Sequence, residues 1–347
     1  MKRNARLLIF LVEVSLILCV RRQPLMAQSS ISAADLDKKV ASILSYGYDC
    51  KFDDALNGAD EIISIMPGDP EGYFYKGGIY KRMMEEGCLT SDDSTMMKVR
   101  SLIDRACRLS EQELDKQPDN VMAYFYYAAS LVYRAWYESK NHDWLAVLSD
   151  GTKAKKTLEK AIEIDPNFYD AYTGIGAFNC YAARIPWYMK PIALVLGVHG
   201  DEDEGIAQLK KAVEFGKYAK IEAQMFLGSI AYVNREDYSS SAKLLLELHK
   251  RFPNNLYITQ YLCKDYYELQ NYDETINLAS SVLSEVDPAG FCQRERLSFI
   301  QFYRGKSFER LGEEDKAIAD YDTVVKLDVN HYAGKDALAA LKKLRDQ

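Results

Sequence analysis

The chain is poor in the residues that most enzymes use to move protons or hold metals. Its four histidines, His142, His199, His249 and His331, stand far apart among 347 residues. No H-E-x-x-H, G-x-S-x-G, phosphate-cradling glycine loop or dinucleotide fingerprint is present. The acidic run Asp201–Gly205 lacks a third paired acid, and its twelfth position is Ala212 rather than the glutamate of a calcium loop. Those acids fit a helix start, where negative charge meets the positive end of the helix dipole. The expectation is a protein with no catalytic residue, no metal and no cofactor.

Excess positive charge is also missing. Lysine and arginine number 44 against 51 acids, a net charge of −7. Nucleic-acid affinity is dominated by phosphate neutralisation, so an acidic chain with no basic stripe is a poor nucleic-acid binder. Docking on anionic lipid through charge alone is disfavoured for the same reason. No C-x-x-C occurs among the seven cysteines. Cys107, Cys180 and Cys263 sit within helical patterns and suit small apolar core positions. Cys50, Cys88 and Cys292 lie near turns, where they could pair or stay free.

Long apolar runs are limited to the amino terminus. There LLIFLVEVSLILCV, 14 residues, comes after the basic MKRNAR. A membrane span needs about 20 apolar residues. The order of charge, apolar run and small residues is that of a secretory signal, with Leu25 and Ala27 in the cleavage-site positions. The sequence predicts a signal peptide over 1–27 and a mature chain over 28–347. An uncleaved anchor, suggested by Glu13 and by Arg21-Arg22, is the alternative. Lipidation at Cys19 would need a small residue where Leu18 stands. Cleavage would remove five basic residues and Glu13, leaving −11. The expected location is periplasmic or outer-membrane associated.

What the sequence does have is a repeat of roughly 34 residues, cleanest over Ser298–His331. Gly305 precedes Phe308, then come Leu311-Gly312, Ala317, Tyr321 and a D-x-N stop. Gly77, Ala128, Gly176, Gly228 and Cys263 occupy the same small-residue slot as Gly305. Ala55, Ala106, Ala154 and Ala317, with Ser241 and Thr275, occupy the matching slot of a second helix. Small side chains are needed where two helices cross closely. Pro67, Pro118, Pro166, Pro253 and Pro288 fall just past a second helix, where proline ends it without losing a hydrogen bond.

These slots, in register from about Leu36 to His331, resemble the tetratricopeptide-repeat superfamily. The resemblance implies an all-α, right-handed solenoid whose concave face binds a protein or peptide partner. We expect about seven helix-turn-helix repeats in a single domain over 28–347. A capping helix over 332–347 would carry Ala337, Leu338, Leu341 and Leu344 on one face.

The spacing is irregular. Pro67 to Pro118 spans 51 residues, Pro118 to Pro166 spans 48 and Pro166 to Pro253 spans 87, against 35 from Pro253 to Pro288. Three enlarged repeats are therefore expected within about 70–220 and regular ones over about 221–331. Ser94–Gln117 and Trp144–Asp165 read as unusually long second helices. The third excess is an apolar insertion over 184–200, RIPWYMKPIALVLGVHG, whose prolines and glycines argue against one helix. In this irregularity the chain resembles bacterial relatives of the inclusion-body clearance and tetratricopeptide repeat protein thirty-nine family.

Tyrosine is abundant, 25 of 347. Tyr73, Tyr124, Tyr127, Tyr172, Tyr266 and Tyr321 fall at packing slots and are assigned to the core. The superfamily's groove register, carried onto this sequence, implies a partner-binding stripe of Phe74, Phe125, Tyr133, Tyr181, Tyr232, Tyr257, Tyr267 and Phe302. Aromatics suit that task because they bury much area at low entropic cost. Lys264, Lys306 and Arg310 are possible charged groove contacts. The basic clamp that chaperone-tail binders use is replaced by Met225, Ser229 and Tyr261. Trp187, Tyr188, Ile192, Leu194 and Leu196 of the insertion either fold back on their own repeat or form a lid or docking tip. The leading function is a non-enzymatic exported scaffold for an envelope protein or peptide. The alternatives are a solute-capturing accessory of an uptake system, its tyrosine-lined pocket closed by the insertion, and a regulator of an envelope enzyme. Membrane association would require a retained amino-terminal segment or the 184–200 insertion.

Overall fold

The computed structural model describes residues 31–188, 190–285, 292–328 and 332–346. The expected signal segment 1–27, Cys19, Met189, Pro288 and the stop Val329–His331 lie outside them. The described chain is all-helical. Its elements are α1 Ala33–Tyr48, α2 Phe52–Ile65, α3 Pro70–Glu85, α4 Asp93–Lys116, α5 Val121–Lys140, α6 Trp144–Ile164, α7 Ala171–Ala183 and α8 Lys190–Val195. Then come α9 Glu202–Phe215, α10 Lys220–Phe226, which runs on into a π turn over Leu227–Tyr232, and α11 Tyr238–Arg251. The array closes with α12 Leu256–Glu268, α13 Tyr272–Glu285, α14 Arg294–Arg310, α15 Glu314–Asp328 and α16 Tyr332–Arg345. Among the described residues these pair into seven antiparallel hairpins and a capping helix, an α-solenoid of tetratricopeptide type.

Local chemistry explains the boundaries. Asp69, Asp92, Asn120, Asp143, Asp201, Asp237 and Asn255 each cap a helix by accepting a backbone N–H. The small-residue slots are close approaches. A Cβ on Gly77 would lie 2.6 Å from Ile103, and one on Gly176 would lie 2.7 Å from the carbonyl oxygen of Gly205. Ala55, Ala106, Ala154 and Ala317 are buried opposite them. The two expected long helices are α4 and α6, of 24 and 21 residues. Several hairpin turns place one residue in the left-handed region. Gly312 takes φ 76° without strain, but Cys50, His142, Glu236 and Gln270 take φ 58–62° with a side chain, at about 1 kcal/mol each.

The core tyrosines separate into two groups. Tyr127 and Tyr321 are buried, whereas Tyr73, Tyr124, Tyr172 and Tyr266 are half-buried. Cys107, Cys180 and Cys263 are buried free thiols, as their helical positions suggest. Within hairpins, bidentate pairs add direction. Arg134 donates to both oxygens of Asp150 at 2.6 Å, tying α5 to α6. Arg304 ties α14 to Asp320 of α15 in the same way.

The solenoid coils until its start meets its later repeats. Asp37 of α1 accepts from Lys217 at 2.6 Å and from the Tyr218 hydroxyl at 2.7 Å. Asp49 accepts from the backbone and side-chain nitrogens of Asn254, and Asn255 donates to the Tyr48 carbonyl at 2.7 Å. A disulfide joins Cys88 to Cys292 across 204 residues. Beside it, the Gln293 N–H donates to the Glu86 carbonyl at 2.7 Å, and Arg296 pairs with the Glu86 carboxylate.

Buried carboxyls give this array a pH dependence. Burial, with Asp69 nearby, lifts Glu71 to about 7, and burial lifts Glu222 to about 7. Below that value the folded state holds protons that an unfolded glutamate, near its ordinary 4.5, releases. Stability is therefore expected to fall as pH rises from about 4.5 to about 7, by up to about 1.4 kcal/mol per pH unit for each group. Melts at about pH 5 and about pH 8 on the native chain and on Glu71→Gln measure it. The slope should flatten in the variant, and an unchanged slope would remove Glu71 from the account.

Candidate functional site: an aromatic-walled cavity inside the superhelix

Coiling forms a half-open cavity of about 780 Å³. First helices supply most of its wall, because second helices face outward in a hairpin solenoid. Phe74, Tyr75 and Ile79 of α3 line it with Phe125 and Tyr133 of α5 and with Gly174, Ala177 and Tyr181 of α7. The stretch entering α10 contributes Tyr218 and Ala219, and beyond them stand Glu222, Met225, Phe226 and Ser229. Tyr257 of α12 and Arg296 of α14 complete that side, and Ile43 and Tyr48 of α1 line the other.

Two devices position this wall. One is the Asp170 carboxylate, which accepts the backbone N–H groups of Lys217, Tyr218 and Ala219 at 2.7–2.9 Å. That pins the entry to α10 against the start of α7 and aims Tyr218 and Glu222 inward. The other is aromatic packing. Phe74 stacks on Tyr133 at 5.0 Å and 17°, and Phe125 lies edge-on to Phe168 and tilted against Tyr218.

The polar groups of the cavity are mostly matched. Lys81 pairs with Glu85 at 2.7 Å, although burial lowers its pKa. Arg82 lies 3.6 Å from the Glu86 carboxylate and over the Tyr48 ring. Ser229 shares a 2.9 Å hydrogen bond with the Tyr257 hydroxyl. Glu222 Oε2 is buried with no hydrogen-bond partner, as are the Tyr48 hydroxyl and two Arg82 nitrogens. No group of three or more metal-ligating side chains occurs among the described residues.

The structure brings together five of the eight stripe residues. Phe74, Phe125, Tyr133, Tyr181 and Tyr257 line the cavity, with Phe74 and Phe125 nearly buried in its wall. Tyr232, Tyr267 and Phe302 are not in the wall. Tyr232 ends the π turn over Leu227–Tyr232 and packs against the cluster of Leu209, Ala212 and Leu227. Tyr267 and Phe302 are buried in the carboxy-terminal core with Tyr303 and Tyr321. Lys306 sits over the Tyr267 ring at 4.1 Å, and Arg310 donates to the Tyr267 hydroxyl at 3.1 Å. Neither they nor Lys264 line the cavity.

The insertion does not close the cavity, as a solute-capture lid would require. None of its described residues is in the wall, which α1 joins through Ile43 and Tyr48. Ala193 and Val198 fold inward, but Trp187 is 81% exposed, Leu194 77% and Val195 87%, with Tyr188 and Ile192 also exposed. Sequence reasoning missed Ile43, Tyr48, Tyr218, Glu222 and Arg296. Their pairing depends on contacts some 180–210 residues apart in the chain, which no repeat pattern records.

Two family models match the chain. The family model described as regulator of microtubule dynamics protein 1-3 matches residues 78–257, and a tetratricopeptide-repeat model matches residues 300–330. The first is a different grouping from the inclusion-body clearance and thirty-nine family that the irregular spacing resembles. No curated protein matches the chain. Among solved structures it is similar to YrrB, a TPR protein with an unusual peptide-binding site, at 16% identity and TM-score 0.47, covering 67% of this chain and 97% of that one. A TPR protein of Thermus thermophilus matches at 14% and 0.41, covering 66% and 98%. One from Parabacteroides merdae matches at 14% and 0.36, covering 89% and 99%.

Proposed function

The chain belongs to the family described as regulator of microtubule dynamics protein 1-3, and from that premise we propose that it is an exported, non-enzymatic scaffold that holds a segment of a protein partner inside its closed superhelix, at the bacterial cell envelope. From the family this reading takes only the helical repeat scaffold, not the microtubule role in the family's name. The observation that carries it is the aromatic wall. First-helix positions that face an open groove in ordinary repeats here converge on one cavity of about 780 Å³.

Two features support the compartment. The first 27 residues have the order of a secretory signal. The Cys88–Cys292 disulfide suits an oxidising compartment, since such bonds are rare where thiols are kept reduced. The exposed tip around Trp187 and Leu194 supports a second contact, with the envelope partner itself, because contiguous apolar surface of this kind marks interaction sites. Capture of a small solute is the second reading. The tyrosines in the cavity wall favour it.

Capture from detergent-solubilised envelope of the native host tests this reading. The recovered chain should begin at Gln28 by intact mass and bring down one protein partner. Ala177→Trp, which fills the cavity from its wall, should abolish recovery of that partner while the variant stays folded. Replacing residues 186–198 by a short Gly/Ser turn should also leave the fold intact and weaken recovery. An intact Met1 would defeat export. A partner retained by Ala177→Trp would move binding out of the cavity, and a co-purifying small molecule alone would select solute capture.

A further inference from the structure

The cavity's charges do not all cancel. Glu85 is matched by Lys81, and Glu86 by Arg82 and Arg296. Asp170 is occupied by three backbone N–H groups. The Glu222 carboxylate stands in the same wall with Oε2 buried and unpartnered, in the company of Phe74, Phe125, Tyr218 and Phe226. A buried carboxylate without a partner is costly, because nothing replaces the water it has lost. A cation supplied by an occupant would remove that cost. It would also make a charge-assisted hydrogen bond and meet the negative ring faces of an aromatic wall.

Resting on the reading that the cavity is the binding site, we propose that its occupant presents an amino or guanidinium group on an apolar stem and seats that cation on Glu222. The stem fills the space between the rings, and the cation supplies the donor that Oε2 lacks. A lysine or arginine side chain of a peptide partner has this chemistry, and so does a free apolar amine. The opposite polarity, an anion on Arg82, has a weaker claim. Two Arg82 nitrogens lack hydrogen-bond partners, but the Glu86 carboxylate stands 3.6 Å from one of them and shares its charge with Arg296.

Calorimetric titration with 4-phenylbutylamine, 4-phenylbutan-1-ol and 5-phenylpentanoate separates these cases. The amine should bind the native chain about tenfold or more tighter than the alcohol, and the carboxylate more weakly than either. Glu222→Gln should abolish the amine's advantage and leave alcohol binding unchanged. This substitution keeps size and hydrogen-bonding capacity, and a melt of the variant confirms its fold. A peptide Ac-Ala-Phe-Lys-Phe-Ala-NH2, set against its norleucine counterpart, distinguishes the sources. Lysine preference in the peptide selects a protein segment, and preference only among the free amines selects a small molecule. Equal amine-to-alcohol ratios in the native chain and Glu222→Gln would overturn the proposal, as would tighter binding of the carboxylate or no binding by any probe. The failures remain separable. Alcohol binding that Ala177→Trp blocks would keep the cavity as the site even with no amine preference.

Discussion

Phe125→Ala is expected to destabilise the protein by about 3–5 kcal/mol, the cost of truncating a buried aromatic and leaving a cavity. Phe125 is 8% exposed. Its ring packs on Tyr126 at 5.3 Å, on Phe168 at 5.7 Å and against Tyr218 at 6.4 Å. It therefore joins α5 to the segment leading into α7 and to the entry of α10. As an open-groove residue it would lose partner binding and keep its fold, and its burial reverses that order. Tyr133 is the better probe of binding, since it is half-buried and alanine there removes its stack on Phe74 while Phe74 keeps its contacts with Tyr75 and Tyr126. Thermal melts and partner capture on both single variants decide the matter. A native melting temperature for Phe125→Ala would return that side chain to the set of exposed contacts.

Cutting the Cys88–Cys292 bond should have an effect of similar size. It closes a loop of 204 residues, and cross-linking so long a segment restricts the unfolded chain strongly. Removal of such a bond costs about 2–5 kcal/mol. A solenoid has few long-range ties, because each repeat touches only its neighbours. Here the bond reinforces one of them, the contact of Glu86 with Gln293 and Arg296. Cys88→Ser should melt well below the native chain, and added reductant should lower the native chain to the same level while leaving the variant unmoved. Hydrogen exchange should show the loss first in α1 and in the helices it touches. A native chain indifferent to reductant would show that the side-chain contacts alone hold the closure.

The hairpins were legible because their determinants are local. Gly77 and Ile103, or Gly176 and Gly205, meet within one hairpin, so a small residue at a fixed spacing records the contact. Capping side chains and turn prolines lie within a few residues of the helix ends they set. The same locality made α4 and α6 readable as long helices and 184–200 as an insertion.

The site was only partly legible, for a matching reason. The small rotation from each repeat to the next accumulates along the chain, and its sum brings Asp37 to Tyr218, Asp49 to Asn254 and Cys88 to Cys292. No residue spacing encodes a sum of that kind. Tyr133, Tyr181 and Tyr257 could be assigned to the concave face from register alone. Tyr232, at the end of the π turn, packs against Leu209 and Leu227 instead, and the packing of the last repeats withdrew Tyr267 and Phe302 into the core. Glu222 carried no signal at all, being one more glutamate in an acidic chain. Sequence by itself determined the helices and their pairing, and the inner face of those in the first repeats. Tertiary structure decided that those faces meet around one half-open cavity, that α1 rather than the insertion joins its wall, and that a carboxyl oxygen is buried there without a partner.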